Sequence, residues 1–390
     1  MKEIVNAIKQ KNPIYIQPYK EAKAWGCDGT GEYWYGAEEG EKSSLARVDG
    51  HTASMAALVS ALPGEILGEE VVSRYGRFLP LVKLLTPKGR LSAQFHDAKN
   101  ELWVVTGINR EISGDPPELI IGFDPGKIGK FGTGIRSRYK EALKEFGNIL
   151  NSVIDEMEAK GHKDLLDKYL DVIPAAEEAG AKDPDIHELL ERLRIAASNI
   201  DSFYNHVRVK TGDVIPVPRG TLHALGAGIE VVEPQIPGPT QSLEDGTTYP
   251  VRYYFPDHPR NGAEKMLDID RIDEMDTGVW DRGKADIIES DGSVKIERLP
   301  GGFEDKGMAV HRISMDKGDE LEYDRTASYH TLVAVEGKAA VDIGGRIFNI
   351  PEAAAGGEIL LVPSCCKTFK IKCLERTQII DTFTPAGEGK

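Results

Sequence analysis

Two separated stretches of this 390-residue chain carry side chains whose types and spacing suit a metal ion. In Leu91-Ser92-Ala93-Gln94-Phe95-His96, side chains that alternate along a strand put Ser92, Gln94 and His96 on one face. Gln94 and His96 can then reach one ion together. Glu101 opens the next strand after a turn running from Asp97 to Asn100, and so short a hairpin returns its carboxylate beside His96. Far downstream, Gly212 is followed by Pro218, Gly220 and His223 in the spacing G-x5-P-x-G-x-x-H. Gly212 permits a tight turn into a strand, Pro218 and Gly220 shape the turn at its far end, and His223 projects from the strand that follows. Two imidazoles, one carboxylate and one amide oxygen make a mixed nitrogen and oxygen set suited to zinc, with cobalt, manganese or nickel as substitutes. These donors bring one negative charge. A divalent ion among them keeps net positive charge and an open position, as a Lewis acid acting on a substrate carbonyl or hydroxyl requires. Alone, His96 would read as a structural histidine; in company with Gln94, Glu101 and His223 it reads as a ligand.

The elements that must hold these residues are strands. Between about residues 79 and 123, short apolar runs (FLPLVKLL, RLSAQFH, ELWVVTG, ELIIGF) alternate with Gly and Pro punctuation, the grammar of a sheet-rich unit. From about 134 to 200 the period changes. Ile135, Tyr139, Leu143, Phe146, Leu150, Val153 and Met157 recur at steps of three and four, and the habit continues to Leu193, predicting three helices. Strand signals return at VRVKTGDVIPVPRG and IEVVEPQ, and again from about 290 to 385. Strands, inserted helices and more strands fit a β-sandwich or barrel with a helical excursion better than a doubly wound sheet.

Composition narrows the function classes. The chain is 40% apolar and 28% charged, as ordinary globular proteins are. A formal net charge of −15 argues against a nucleic-acid partner but leaves room for a basic pocket that takes a small phosphorylated ligand. Neither a signal-peptide pattern nor a run of about 20 apolar residues is present, so a cytoplasmic location without a membrane partner is expected. The cysteines Cys27, Cys365, Cys366 and Cys373 form no C-x-x-C pair and fit a reducing compartment; adjacent Cys365 and Cys366 read as small strand residues.

An internal repeat divides the chain. Glu101-Leu-Trp-Val-Val-Thr-Gly107 can be laid over Thr331-Leu-Val-Ala-Val-Glu-Gly337, and Gly212-Asp-Val-Ile-Pro-Val-Pro218 over Gly357-Glu-Ile-Leu-Leu-Val-Pro363. That alignment puts Thr331 in the place of Glu101 and Thr368 in the place of His223, so the second copy lacks the ligands; His330 reads as an ordinary strand residue.

The G-x5-P-x-G-x-x-H spacing is that of the second cupin motif, and a family resemblance follows from it. PLVKLLTPKGRLSAQFH, KNELW, VPRGTLHALGAG, GEILGEEVVSRYG, Trp25-Gly26 and ELIIGF together resemble type I mannose-6-phosphate isomerases over about residues 15 to 275, and more weakly beyond. The resemblance implies a mainly β fold with a helical insertion. In it, there are two cupin (double-stranded β-helix, or jelly-roll) domains plus an α-helical segment: a discontinuous catalytic domain of residues 1–123 and 208–285, a helical insertion over 124–207, and a degenerate cupin over 286–390. It implies the metal set Gln94, His96, Glu101 and His223 with one zinc per chain. It also implies that Arg252, in TYPVRYY, is the catalytic arginine, that Lys83 and Lys99 line the pocket, and that Asp245 is the acidic neighbour of the arginine. Ser92, Lys83 and Arg252 would bind substrate, with charge chemistry suited to a phosphate and a developing enediolate. The chain departs from the family pattern in two places. The loop between His96 and Glu101 is compressed and lacks the usual Pro, and extra residues precede Arg252.

The activity so implied is interconversion of mannose 6-phosphate and fructose 6-phosphate through a cis-enediol, in a monomer or homodimer. Lys99, Asp245 and a water on the metal all remain open as the base. The compressed loop motivates an alternative, a cupin isomerase or epimerase for another sugar or sugar phosphate. A carbohydrate-binding protein that has kept its metal and lost catalysis is the reading from a different class, because fold alone does not fix chemistry.

Overall fold

The computed structural model describes residues 1–27, 29–37, 42–96, 99–168, 172–236, 240–242, 248–250, 253–254, 269–301, 303–324 and 327–386. The architecture is a mixed one, of sheets with a helical insertion. A six-stranded sheet runs in the order Val214–Val217, Asn100–Ile108, Ile229–Ile236, Leu81–Leu85, Thr30–Tyr35, Tyr19–Cys27. A five-stranded sheet runs Tyr204–Arg208, Glu118–Phe123, His223–Ala224, Gln94–Phe95, Tyr253–Tyr254. None of the sheets closes into a barrel among the described residues.

Alternation along the strand Asn100–Ile108 sorts two cores. Leu102 and Val104 join a core shared with Val310, Val333, Leu361 and Ile380 from the C-terminal half. Trp103 and Val105 face the other way, into a core with Leu85, Ile121, Ile215 and Val231, and Glu101 shares their side by the period of two.

The helical segment begins with Pro125–Phe131, capped by Asp124, whose carboxylate accepts from the Lys127 amide at 2.8 Å. Every apolar residue named above on Ile135–Ala159 is buried. Between that helix and Pro184–Asp201, the described residues Lys163–Lys168 and Val172–Gly180 are helical. The insertion packs on Ala93, Phe95, Leu222 and Ala224, which alternate along the chain with Gln94, His96 and His223. Helices therefore brace the back of the segments that carry Gln94, His96 and His223. No helix among the described residues is long and apolar enough to cross a membrane.

The C-terminal half contributes six strands to a nine-stranded sheet: Asp286–Asp291, Val294–Arg298, Ala309–Met315, Thr377–Phe383, His330–Glu336 and Ile359–Val362. Ile14–Gln17, Leu45–Val48 and His51–Ser54, from the N-terminal end, complete it, with Ile14 opposite Leu361. Strand pairing thus crosses the boundary drawn between the first and last segments. Cys365 and Cys366 lie in the turn after Ile359–Val362 rather than in a strand, and all four cysteines are free thiols.

Strand register corrects the repeat alignment. Opposite Ile229–Ile236, the strand Asn100–Ile108 passes over Thr106 as an extra residue; opposite Thr377–Phe383, the strand His330–Glu336 passes over Val335. Superposing bulge on bulge places His330, not Thr331, in the slot of Glu101. The neighbouring pairs agree, because Glu101 lies opposite Val217 and His330 opposite Val362. Likewise Glu233 pairs with Lys83, and Asp381 with His311.

Candidate metal centre

The regular strand around the first ligands is only Gln94–Phe95, shorter than the run from Ser92 to His96 that alternation suggested. Ser92 precedes it and is buried. Gln94 lies directly opposite His223 in the five-stranded sheet. The far turn behaves as the glycine and proline spacing required. Gly212 and Gly220 adopt φ of 88° and 80°, and the Gly220 amide donates to the His96 carbonyl at 2.6 Å, tying the two ligand segments together.

His96, Glu101 and His223 are all buried, and one ligand atom from each lies within 4.8 Å of the others. The imidazole rings of His96 and His223 are 4.9 Å apart, and His96 Nε2 is 3.2 Å from Glu101 Oε1. His223 donates from Nδ1 to the Thr221 carbonyl at 2.8 Å, which leaves its lone pair on Nε2. Trp103 donates from Nε1 to Glu101 Oε2 at 3.2 Å and packs edge-on against His223. Among the described residues, both ring nitrogens of His96 are buried and make no well-directed hydrogen bond, although Nε2 lies near Glu101 Oε1. Such atoms are costly unless an ion takes them up. The donor set, with its indole and backbone supports, fits a divalent transition ion.

Electrostatics favours the ligand forms. Burial, and next to it the Lys99 ammonium, pushes His96 down to about 3, so its imidazole is neutral at physiological pH. Burial would raise Glu101, but Lys99 and then His96 outweigh it and hold the carboxyl well below its ordinary range.

The basic residues are placed less freely than solvated charges would be. Lys99 is buried and contacts Glu101, with Glu233 Oε1 at 3.2 Å. Lys83, also buried, donates to Glu32 at 3.0 Å and lies 4.6 Å from the centre of the Trp34 ring. Arg252 and Asp245 lie outside the described residues.

Two buried carboxylates, Glu32 and Glu233, escaped the sequence reading. Burial and then Glu101 push Glu233 up to about 7, against the opposing pull of Lys99 and Lys83. The signal for Glu233 lay in IEVVEPQ, where Val231, Glu233 and Gln235 share one face of a strand otherwise built of core residues. A charge in that position calls for a partner inside the protein.

A sheet-built chain with a helical insertion and a buried His, Glu, His trio at the junction of two sheets is the class these observations define. No family model matches the sequence. A mannose-6-phosphate isomerase of Streptococcus mutans serotype c is 39% identical over 180 residues, which are 46% of this chain and 51% of that protein. The chain thus spans about half the length of the curated relative it matches. Among solved structures, the mannose 6-phosphate isomerase from Bacillus subtilis superposes with a TM-score of 0.59 at 16% identity, covering 95% of this chain and 99% of that one. A mutant phosphomannose isomerase from Salmonella typhimurium gives a TM-score of 0.62 at 15% identity, covering 96% and 100%. The chain has a phosphomannose-isomerase-like fold.

Proposed function

We propose that the chain is a zinc-dependent aldose–ketose isomerase that interconverts mannose 6-phosphate and fructose 6-phosphate. The observation that carries this reading is the buried convergence of His96, Glu101 and His223, with ligand atoms within 4.8 Å of one another. Gln94 completes the proposed set. When bound, the ion would supply Lewis acidity toward the oxygens at C1 and C2 of the open-chain sugar.

The residues divide the remaining work. Arg252 and Lys83 meet the negative charge of phosphate and enediolate, and Ser92 offers a hydroxyl to the sugar. The proton moves between C1 and C2 through a base on one face of the cis-enediol. Glu233, Lys99 and Asp245 are the proposed candidates; burial and then Glu101 raise the Glu233 carboxyl, while Lys99 and Lys83 pull it down. The same reading treats residues 1–123 and 208–285 as a catalytic cupin and 286–390 as its degenerate copy.

The test is turnover of mannose 6-phosphate by purified protein before and after chelation. Activity should vanish with the metal and return with added zinc. The compressed segment between His96 and Glu101 favours a second reading, isomerisation of a different sugar phosphate. Turnover of another hexose or pentose phosphate beside none of mannose 6-phosphate would select it.

A further inference from the structure

Lys99 sits where a metal-bound site would least tolerate a cation. Its ammonium touches Oε1 of Glu101, and the same oxygen faces His96 Nε2 at 3.2 Å. The other oxygen of Glu101 is held by the Trp103 indole at 3.2 Å. An incoming ion and the ammonium therefore compete for the oxygen that faces His96, in surroundings where side-chain exposure is 3% at Glu101 and 9% at Lys99. Two cations cannot share one buried oxygen at low dielectric without strong repulsion.

A second seat is at hand. Glu233 Oε1 lies 3.2 Å from the same ammonium and is equally buried. Its cross-strand neighbour Lys83 is engaged by Glu32 at 3.0 Å. We infer that Lys99 is a resident counter-ion that competes with the metal for Glu101 and withdraws to Glu233 when the ion enters. The inference rests on the metal-site reading and adds a control to it. Lys99 supplies one positive charge between two buried carboxylates, Glu101 and Glu233, and sets how tightly the metal is held.

The sequence shows how this is built. Lys99 stands two residues before Glu101, just ahead of the strand Asn100–Ile108, and both side chains reach the site from that strand end.

The experiment measures zinc affinity by competition with a chromophoric chelator, and thermal unfolding with and without zinc. It compares the full-length wild-type chain, Lys99→Met, Lys99→Arg, Glu233→Gln and His223→Ala. Lys99→Met is expected to bind zinc at least about tenfold tighter than wild type. Its metal-free form should melt at lower temperature, with zinc restoring most of the loss. Lys99→Arg, which offers the carboxylate a permanent two-pronged partner, should bind zinc more weakly. Glu233→Gln should also bind more weakly, and by less once Lys99 is already Met, because the two residues act as a unit. Wild-type affinity in both lysine variants, or the reverse order, overturns the inference. Failure of the underlying reading looks different: zinc would not bind the wild-type chain, or would still bind after His223→Ala. Should Lys99→Met fail to fold, the Lys99→Arg comparison alone decides.

Discussion

His223 and Trp103 show how single residues make the centre specific. The Thr221 carbonyl fixes one nitrogen of His223, and the Trp103 indole fixes one oxygen of Glu101. Each support leaves its partner one orientation toward an ion. Trp103→Phe keeps the ring in the core and removes only the donor. It should weaken zinc binding by about 10- to 100-fold, as loss of an outer-shell partner does elsewhere, with the melting temperature of the metal-free protein nearly unchanged. His223→Ala removes a proposed ligand outright and should cost at least about 100-fold in the same titration. At this scale the sequence was informative where residue type and spacing acted together. The four-residue connection brought Glu101 to His96, and the glycine spacing delivered His223. It was silent where a residue mattered through a distant partner: nothing near Glu32 or Glu233 in the chain announces Lys83 or Lys99.

Elements explain both a success and a miss. The periodic helices were legible because Tyr139, Phe146 and Val153 bury one stripe, a pattern local to the helix. Tyr139 packs on Phe123 and its hydroxyl meets that of Tyr204, joining the helix to the sheet behind the ligands. Tyr139→Ala should cost about 3–5 kcal/mol, as removal of a buried ring does, measurable by urea unfolding. The repeat alignment, by contrast, slipped by one residue because a bulge is invisible in a gapless match; Gly107 over Gly337 looked sound, yet Val335 is the extra residue. The slip hid His330, which in the C-terminal copy donates to the fully buried Asp381 at 2.9 Å in the slots that Glu101 and Glu233 hold in the first. A pH dependence belongs to this scale as well. His206, on the strand Tyr204–Arg208, lies 3.2 Å from Asp201 at the end of the last inserted helix. The hydrogen bond to Asp201 raises His206, against burial, with Glu118 assisting and Arg90 opposing. A raised pKa means that the pair's contribution is full below the unfolded value of about 6.5 and is lost as pH rises through the folded value. Asp201 is lowered, so its share is lost only as pH falls through its own folded value, below the carboxylate range. Both groups are partly exposed, which keeps the gain below about 1 kcal/mol. Unfolding free energies of wild type and His206→Gln should differ at pH 5.5 and converge at pH 8.5.

At the scale of the whole molecule, the two halves are built through one another. Ile14–Gln17 is sandwiched between Ile359–Val362 and Leu45–Val48 in the nine-stranded sheet. Leu102, Val104 and Val232 from the ligand-bearing sheet share a core with Val310, Leu361 and Ile380. Polar ties reinforce it: Arg47 donates from Nε to Glu358 at 2.7 Å, and the Tyr35 hydroxyl donates to the Gly357 carbonyl at 2.9 Å. The C-terminal half thus covers the face of the Glu101 strand that carries Leu102 and Val104. Two units with separate cores would melt separately, whereas a core cluster shared by both halves couples their fates. Calorimetry of the full chain should show a single transition carrying both the zinc-sensitive sheet and the C-terminal sheet. A fragment ending at residue 285 keeps every proposed ligand, yet it strips the partner from Ile14–Gln17 and exposes Val82, Leu84, Leu102 and Val104. That fragment should be degraded by protease under conditions the full chain survives, and added zinc should not rescue it. Survival of the fragment with zinc affinity intact would mean that the shared core is dispensable to the site.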